Sequence, residues 1–157
     1  MTPGTILFDT HFEFDDGAVG RKLLVLLNDG TCGFYITLKT TSNPKHKGRK
    51  AGCQSRDRYP NFFVPDGSSD LRGDSWLMLR EFKELTAPQL LQKKFSGIAR
   101  HIGVLPKEML IQLLECALAG DDLSTQQEEV LRATLQHIKE PEPPLLELVK
   151  PPPKTQA

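Results

Sequence analysis

The sequence predicts a mainly β protein with C-terminal helices, folded as a small, partly open antiparallel β-barrel. Three observations lead to this prediction. Before Pro106, short apolar or alternating segments follow one another at close spacing, as strands do. Turn signals such as Asn28-Asp29-Gly30 and Pro65-Asp66-Gly67 separate them. Helical spacing of apolar residues begins only after Pro106, and many short strands with a packed helix are typical of a small barrel.

The first strands follow from apolar patterning. Residues 5–8 form a short apolar segment after a Pro-Gly turn, and residues 11–14 alternate. Residues 23–27 are continuously apolar, which predicts a central strand buried on both faces. The turn at residues 28–30 then predicts that residues 31–39 return antiparallel.

A long charged segment interrupts this pattern at residues 43–58. It carries six cations and a single acid, Asp57, and loops of this length are usually functional or mobile. We call residues 45–58 the basic loop; its cations are Lys45, Lys47, Arg49, Lys50, Arg56 and Arg58. Further short strands are expected over residues 61–64, 75–79, 82–85 and 97–103.

Two helices are expected near the end of the chain. An apolar stripe predicts one from Pro106 to Gly120, and Ser124 with Gln127 forms a capping box for a second that runs to about Ile138. From Pro141 onward, repeated prolines exclude regular structure. The predicted organisation is therefore a barrel with its closing helix over 1–120, an additional helix over 121–139, and a proline-rich, disordered tail over 140–157.

Composition limits the classes of function. Lysine plus arginine and aspartate plus glutamate are balanced at 20 each in 157 residues, so only local clustering of charge is informative. No segment has the length or apolarity of a membrane span, and no secretory signal is visible. The cysteines Cys32, Cys53 and Cys116 are odd in number and widely spaced, which argues against a disulfide framework and favours a reducing cytoplasm. Cys32 and Cys116 are expected to be buried small apolar side chains. Neither a metal nor a cofactor is predicted, because no zinc-type spacing and no glycine-rich phosphate loop occur.

A run of hydroxyls, Thr40-Thr41-Ser42, stands at the end of the predicted strand, beside Lys39. Arg21 and Lys22 open the apolar run at 23–27, and the hairpin through residues 28–30 would bring these cations near the hydroxyls. Cations with hydroxyls suit a phosphate or phosphodiester. The alternative is a strand whose threonines merely favour β geometry.

The order of these motifs resembles that of the MazF/PemK/Kid family of toxin endoribonucleases. Four stretches of the chain, within about residues 3–119, are similar to that family: the opening strand at 3–9, the Gly20-Arg21-Lys22 turn before 23–27, the strand end at 38–42, and residues 97–108 with the helix to Ala119.

The resemblance implies an SH3-like barrel of the MazF/PemK/CcdB kind, usually a homodimer with a cognate antitoxin. It also implies metal-independent cleavage of single-stranded RNA through attack by the ribose 2′-hydroxyl. By this resemblance Thr40 acts at the scissile phosphate, and the family's arginine position falls on Lys22, with Arg21 one place earlier. Lysine supplies charge but lacks the planar fork of arginine, so the two are not equivalent.

Other roles in RNA cleavage are less directly indicated. Thr41 and Ser42 would help to orient the phosphate. His11 is a candidate base, since an imidazole titrates near pH ~6.5, although a histidine beside Phe12 also suits a packing role. The resemblance places an acid at Asp74, for which a turn role is the alternative.

The basic loop is the candidate surface for binding the RNA backbone. Tyr59, Phe62 and Phe63 follow it and would offer faces for base stacking. The alternative is that these aromatics are core and the charges merely solvated.

The sequence therefore predicts a cytoplasmic, metal-independent endoribonuclease of the toxin type. A non-catalytic module on the same barrel, binding nucleic acid or protein, is the alternative, and it includes a gyrase-poison-like toxin.

Overall fold

A computed structural model describes residues 1–141 as a seven-stranded antiparallel sheet and three helices. The elements in chain order are β1 (Thr5–Glu13), β2 (Val19–Leu26), β3 (Phe34–Thr41), β4 (Gly52–Gln54), β5 (Asn61–Val64), β6 (Ser75–Thr86), α1 (Ala87–Phe95), β7 (Ala99–Val104), α2 (Lys107–Ala119) and α3 (Thr125–Lys139).

The strand order is β4-β5-β6-β3-β2-β1-β7, and within residues 1–141 no ladder joins β4 to β7. The sheet is thus curved through its bulges but not closed. This confirms the predicted mainly β, partly open barrel with helices mostly at the C-terminal end. From residue 142 onward, the predicted tail lies outside the described residues.

The sheet has two differently covered faces. Val25, Leu27, Ile36 and Leu38 point to one face and pack in the main core, to which α2 and α3 contribute. On the other face, Leu7, Leu26 and Tyr35 pack against Leu90 of α1. The predicted burial of the central strand on both faces is therefore confirmed for β2.

The helix α1 was not predicted. Thr86 caps it and forms a capping box with Gln89, and Pro88 lies in its first turn. These are standard helix-start signals, but they follow directly on the run 82–85, which was predicted to be a strand. In the structure that run is the end of the long strand β6.

The helices predicted at the end of the chain are confirmed. Ser124 caps α3 with Gln127 as expected. Leu131 of α3 and Leu113 and Leu114 of α2 are fully buried in the main core. The helix beyond the family resemblance is therefore packed into the same core as the barrel.

The burial predicted for Cys116 is confirmed, since it is 4% exposed, but the other cysteine predictions were wrong. Cys53 of β4 is joined to Cys116 of α2 by a disulfide, and Cys32 is free and exposed rather than buried. An odd cysteine count argues against a full framework of pairs, but it cannot exclude one bond between residues that the fold brings together.

No helix within residues 1–141 combines the length and apolarity needed to cross a membrane.

Candidate nucleic-acid interface

The basic loop is an ordered structure built on buried amides. Its centre is Gln54, whose Nε2 donates to the carbonyl of Gly48 at 2.9 Å and to Asn61 Oδ1 at 2.7 Å. Gln54 Oε1 accepts from the amide of Lys50 at 3.0 Å. Gln54 and Asn61 are both buried, so these bonds satisfy groups that would otherwise be costly.

Two further contacts fix the first part of the loop. Asp57 Oδ2 accepts from the amide of Gly48 at 2.8 Å. Trp76 Nε1 donates to the carbonyl of the same glycine at 2.8 Å. These contacts, the strand β4 within the loop and the Cys53–Cys116 bond give the basic loop a defined structure.

One aromatic side chain, directly after the basic loop, is exposed to solvent between cations. Tyr59 is 37% exposed. The Lys47 ammonium lies 5.5 Å from its ring centroid, the Arg58 guanidinium 5.6 Å, and the His46 ring 5.9 Å. An aromatic face flanked by positive charge is the arrangement that binds stacked bases beside phosphates.

The other aromatics named from the sequence are core residues. Phe62 and Phe63 are buried, and Phe63 stacks on Trp76 with centroids 4.8 Å apart. The base-stacking role predicted for Phe62 and Phe63 is therefore wrong, because both rings lie on β5 and are covered by the core.

Most loop cations remain open to solvent. Lys45, Lys50, Arg56 and Arg58 are exposed. Arg49 is also exposed, but its Nη1 lies 2.6 Å from Asp74 Oδ2 and its guanidinium lies over Trp76. The loop therefore presents several exposed cations to solvent, and Lys47 and Arg58 flank Tyr59.

Asp74 has a clear structural role. Its Oδ1 accepts from the amide of Asp66 at 3.0 Å, while its Oδ2 pairs with Arg49. It thus ties the turn before β6 to the basic loop.

The hairpin brings Lys22 to the hydroxyl run, but its ammonium contacts a backbone carbonyl there and not a hydroxyl. Lys22 Nζ donates to the carbonyl of Thr40 at 2.9 Å. Thr40 is only 6% exposed, whereas Thr41 is half-buried and Ser42 is exposed. Thr41 Oγ1 accepts from the amide of Asn43 at 3.2 Å, at the entry to the basic loop. The hydroxyls open to solvent are therefore those nearest the loop.

Lys22 belongs to a cluster of lysines around one ring. The ammoniums of Lys22 and Lys39 lie 5.9 Å and 6.0 Å from the centroid of Phe14, and Lys39 pairs with Glu81. Burial, and then the charge of Lys39, lower the pKa of Lys22, while Glu81 raises it. The sequence did not predict that Phe14 and Glu81 belong to this cluster. They are brought together by the β1–β2 hairpin and by the bend in β6, and neither can be recognised from a local sequence pattern.

His11 and Arg21 lie near each other on the β1–β2 ladder. Asp9 pairs with Lys22 and Phe12 with Gly20, so Arg21 faces the bulge that contains His11. Both residues are exposed, and His11 Nδ1 lies 3.0 Å from Thr10 Oγ1.

A separate cleft of about 500 Å³ opens between the sheet and α1. Asp9, Leu24 and Thr37 are buried residues that line it. Lys93 Nζ lies 2.6 Å from Asp9 Oδ2, and the amide of His11 donates to Oδ1 at 2.9 Å. Sequence reasoning missed this ion pair because it missed α1.

Within the part of the chain that the structure describes, no group of three or more His, Cys, Asp or Glu side chains is placed to hold a metal ion.

Among known proteins, the chain matches no family model and no curated protein.

Proposed function

We propose that the protein binds single-stranded RNA through the basic loop. The observation that carries this proposal is Tyr59, an exposed ring set between the cations of Lys47 and Arg58 on an ordered loop. A base stacked on an aromatic side chain contributes about 1–3 kcal/mol, and neighbouring cations attract the phosphates. Because the loop is fixed by buried amides and a disulfide, little of this energy is lost in ordering it.

Binding to a fluorescently labelled RNA strand, measured at several salt concentrations, tests the proposal. Tyr59→Ala should weaken binding by about 1–3 kcal/mol, whereas Tyr59→Phe, which keeps the ring, should bind like the wild type. Arg56→Gln should lower the slope of log affinity against log salt by about 0.7 if it neutralises one phosphate. Salt-independent binding, or equal affinity of Tyr59→Ala and the wild type, would refute the proposal.

Cleavage of the bound strand is a second candidate function, in line with the resemblance to the MazF/PemK toxins. The observation that favours it is the pair of lysines, Lys22 and Lys39, at the end of β3. The next residues of the chain, from Thr41 onward, connect this strand end to the basic loop. The lowered pKa of Lys22 increases the fraction of the side chain that is neutral at a given pH, and only the neutral amine can act as a general base. Lys39 remains beside it to stabilise charge on a phosphate.

RNA incubated with the protein in the presence of a chelator tests cleavage. Attack by the 2′-hydroxyl leaves a 2′,3′-cyclic phosphate, which mass spectrometry of the fragments detects. Lys22→Met should abolish the fragments, while Arg21→Gln, on the neighbouring exposed position, should retain them. Thr40→Ala, which keeps the carbonyl that Lys22 contacts, shows whether the buried hydroxyl contributes. Intact RNA at high protein concentration would exclude this candidate.

A toxin role, a homodimer, a cognate antitoxin and a cytoplasmic location belong to the cleavage proposal. If RNA is not bound, a protein-binding module, including a gyrase-poison-like toxin, becomes the better proposal. In a reducing cytoplasm the Cys53–Cys116 bond would be exposed to small thiols.

A further inference from the structure

The disulfide is the one covalent link between the basic loop and the helical layer within residues 1–141. It joins Cys53, at the centre of β4, to Cys116, near the end of α2, across 63 residues of sequence. β4 lies at the edge of the sheet and pairs only with β5, through three residue pairs. Without the bond, only non-covalent contacts would hold this part of the loop: those pairs, the packing of β4 on α2, and the hydrogen bonds of Gln54 and Gly48.

The two ends of the bond differ in access. Cys53 is exposed, whereas Cys116 is 4% exposed and belongs to the main core. We therefore expect a small thiolate to attack the bond at the exposed residue Cys53, since Cys116 is covered by its core neighbours.

We propose that Cys53 is a site of reversible exchange with low-molecular-weight thiols, and that exchange there controls the order of the basic loop. The effect of this exchange on RNA binding rests on the proposed function. The remaining cysteine, Cys32, is exposed but forms no part of this bond.

The exchange proceeds in two balanced steps. The thiolate of a small thiol attacks Sγ of Cys53, forms a mixed disulfide there, and releases the Cys116 thiolate, which takes up a proton. A second small thiolate then attacks the outer sulfur of the mixed disulfide and releases Cys53 together with the oxidised small disulfide. The small thiols supply both electrons, and the reverse sequence with the small disulfide closes the bond again.

The structural consequence falls on β4 and its flanks. Once open, the Cys116 thiol stays in the core as a small apolar group, and Cys53 no longer holds the edge strand to α2. The segment 45–56 then samples more conformations, and RNA binding must order it again. Reduction should therefore weaken RNA binding.

The full chain carrying Cys32→Ser is the protein to use, because only the bonded pair then reacts. Treatment with reduced glutathione followed by peptide mapping should place the adduct on Cys53. Full reduction with dithiothreitol should raise the intact mass by about two mass units and speed amide exchange at residues 45–56, but not in α3. RNA affinity should fall by roughly three- to tenfold on reduction.

A Cys53→Ser/Cys116→Ala variant in the same background is the matched control. It should show the faster loop exchange from the start and should not respond to dithiothreitol. An adduct on Cys116, or identical exchange at 45–56 in both redox forms, would overturn the inference. If neither form binds RNA, the proposed function fails, and the adduct map and amide exchange still decide this inference.

Discussion

Lys22 shows how much a single residue depends on its surroundings. Its ammonium is partly buried between Phe14 and the carbonyl of Thr40, with a second lysine close by. Burial, and then the charge of Lys39, disfavour the charged form of Lys22 and lower its pKa, although Glu81 acts in the opposite direction. Folding therefore disfavours the protonated form of this side chain.

The free energy of unfolding should therefore depend on the protonation of Lys22. At a pH below its lowered pKa, Lys22 is charged in both states and the penalty of burying it is fully present. As the pH rises through the window between that lowered pKa and the ordinary value of 10.5, the unfolded chain retains a proton that the folded chain has lost, so stability should rise. Urea unfolding across this window should show a rise that Lys22→Met flattens. Lys45→Met, at an exposed position, should keep the wild-type slope; a parallel profile for Lys22→Met would contradict the prediction.

Thr40 shows which part of the site could be predicted at residue scale. The approach of Lys22 follows from the hairpin through residues 28–30. The burial of Thr40 could also have been foreseen, because Ile36, Leu38 and Thr40 alternate along one strand and so share the core face. The ring of Phe14 over the cluster could not, since it depends on how the β1–β2 hairpin folds back.

At the scale of elements, α1 matters most, because it forms one wall of the cleft and supplies Lys93. Its start depends on Thr86, whose side chain accepts from the amide of Gln89 while Gln89 Oε1 accepts from the amide of Thr86. This capping box is visible in the sequence, but the strand pattern of the residues just before it led to the prediction of a strand there and of no helix after it. Element boundaries of this kind are decided by a few hydrogen bonds at the junction.

Removing that cap should loosen α1 and reduce stability. Thr86→Ala should lower the free energy of unfolding by about 1 kcal/mol, because an amide at the helix start loses its acceptor. Thr86→Ser keeps an acceptor and should stay close to the wild type. Thermal or urea unfolding measures both, and equal losses for Ala and Ser would show that the cap contributes nothing.

At the scale of the whole molecule, the fold class was predictable because turns and apolar periodicity recur along the chain. The disulfide was not, because Cys53 and Cys116 lie far apart in sequence and meet only when β4 and α2 pack together. The order within the basic loop could not be predicted either, because nothing in the local sequence shows that Gln54 in the loop and Asn61 at the start of the next strand are buried against each other. Local patterns specify elements, whereas these contacts depend on tertiary packing.

The inclusion of α3 in the core can be tested directly. Leu131 is fully buried beside α2, so Leu131→Ala should lower the stability of the whole protein by about 2–5 kcal/mol. Leu91→Ala, at an exposed position of α1, is the matched control and should change stability little. The two should be compared by global unfolding, monitored by circular dichroism. Loss of helix signal alone, with the sheet unfolding at its normal midpoint, would show that α3 is independent of the barrel.

The contact between Trp76 and the basic loop has a practical consequence. Trp76 is the only tryptophan of the chain, its indole N–H is bonded to Gly48, and the guanidinium of Arg49 lies over its ring. Its fluorescence therefore reports on the loop without any added label. Reduction of the disulfide, or binding of RNA beside Tyr59, should change the emission of Trp76. Both events can therefore be followed in time in the unmodified protein.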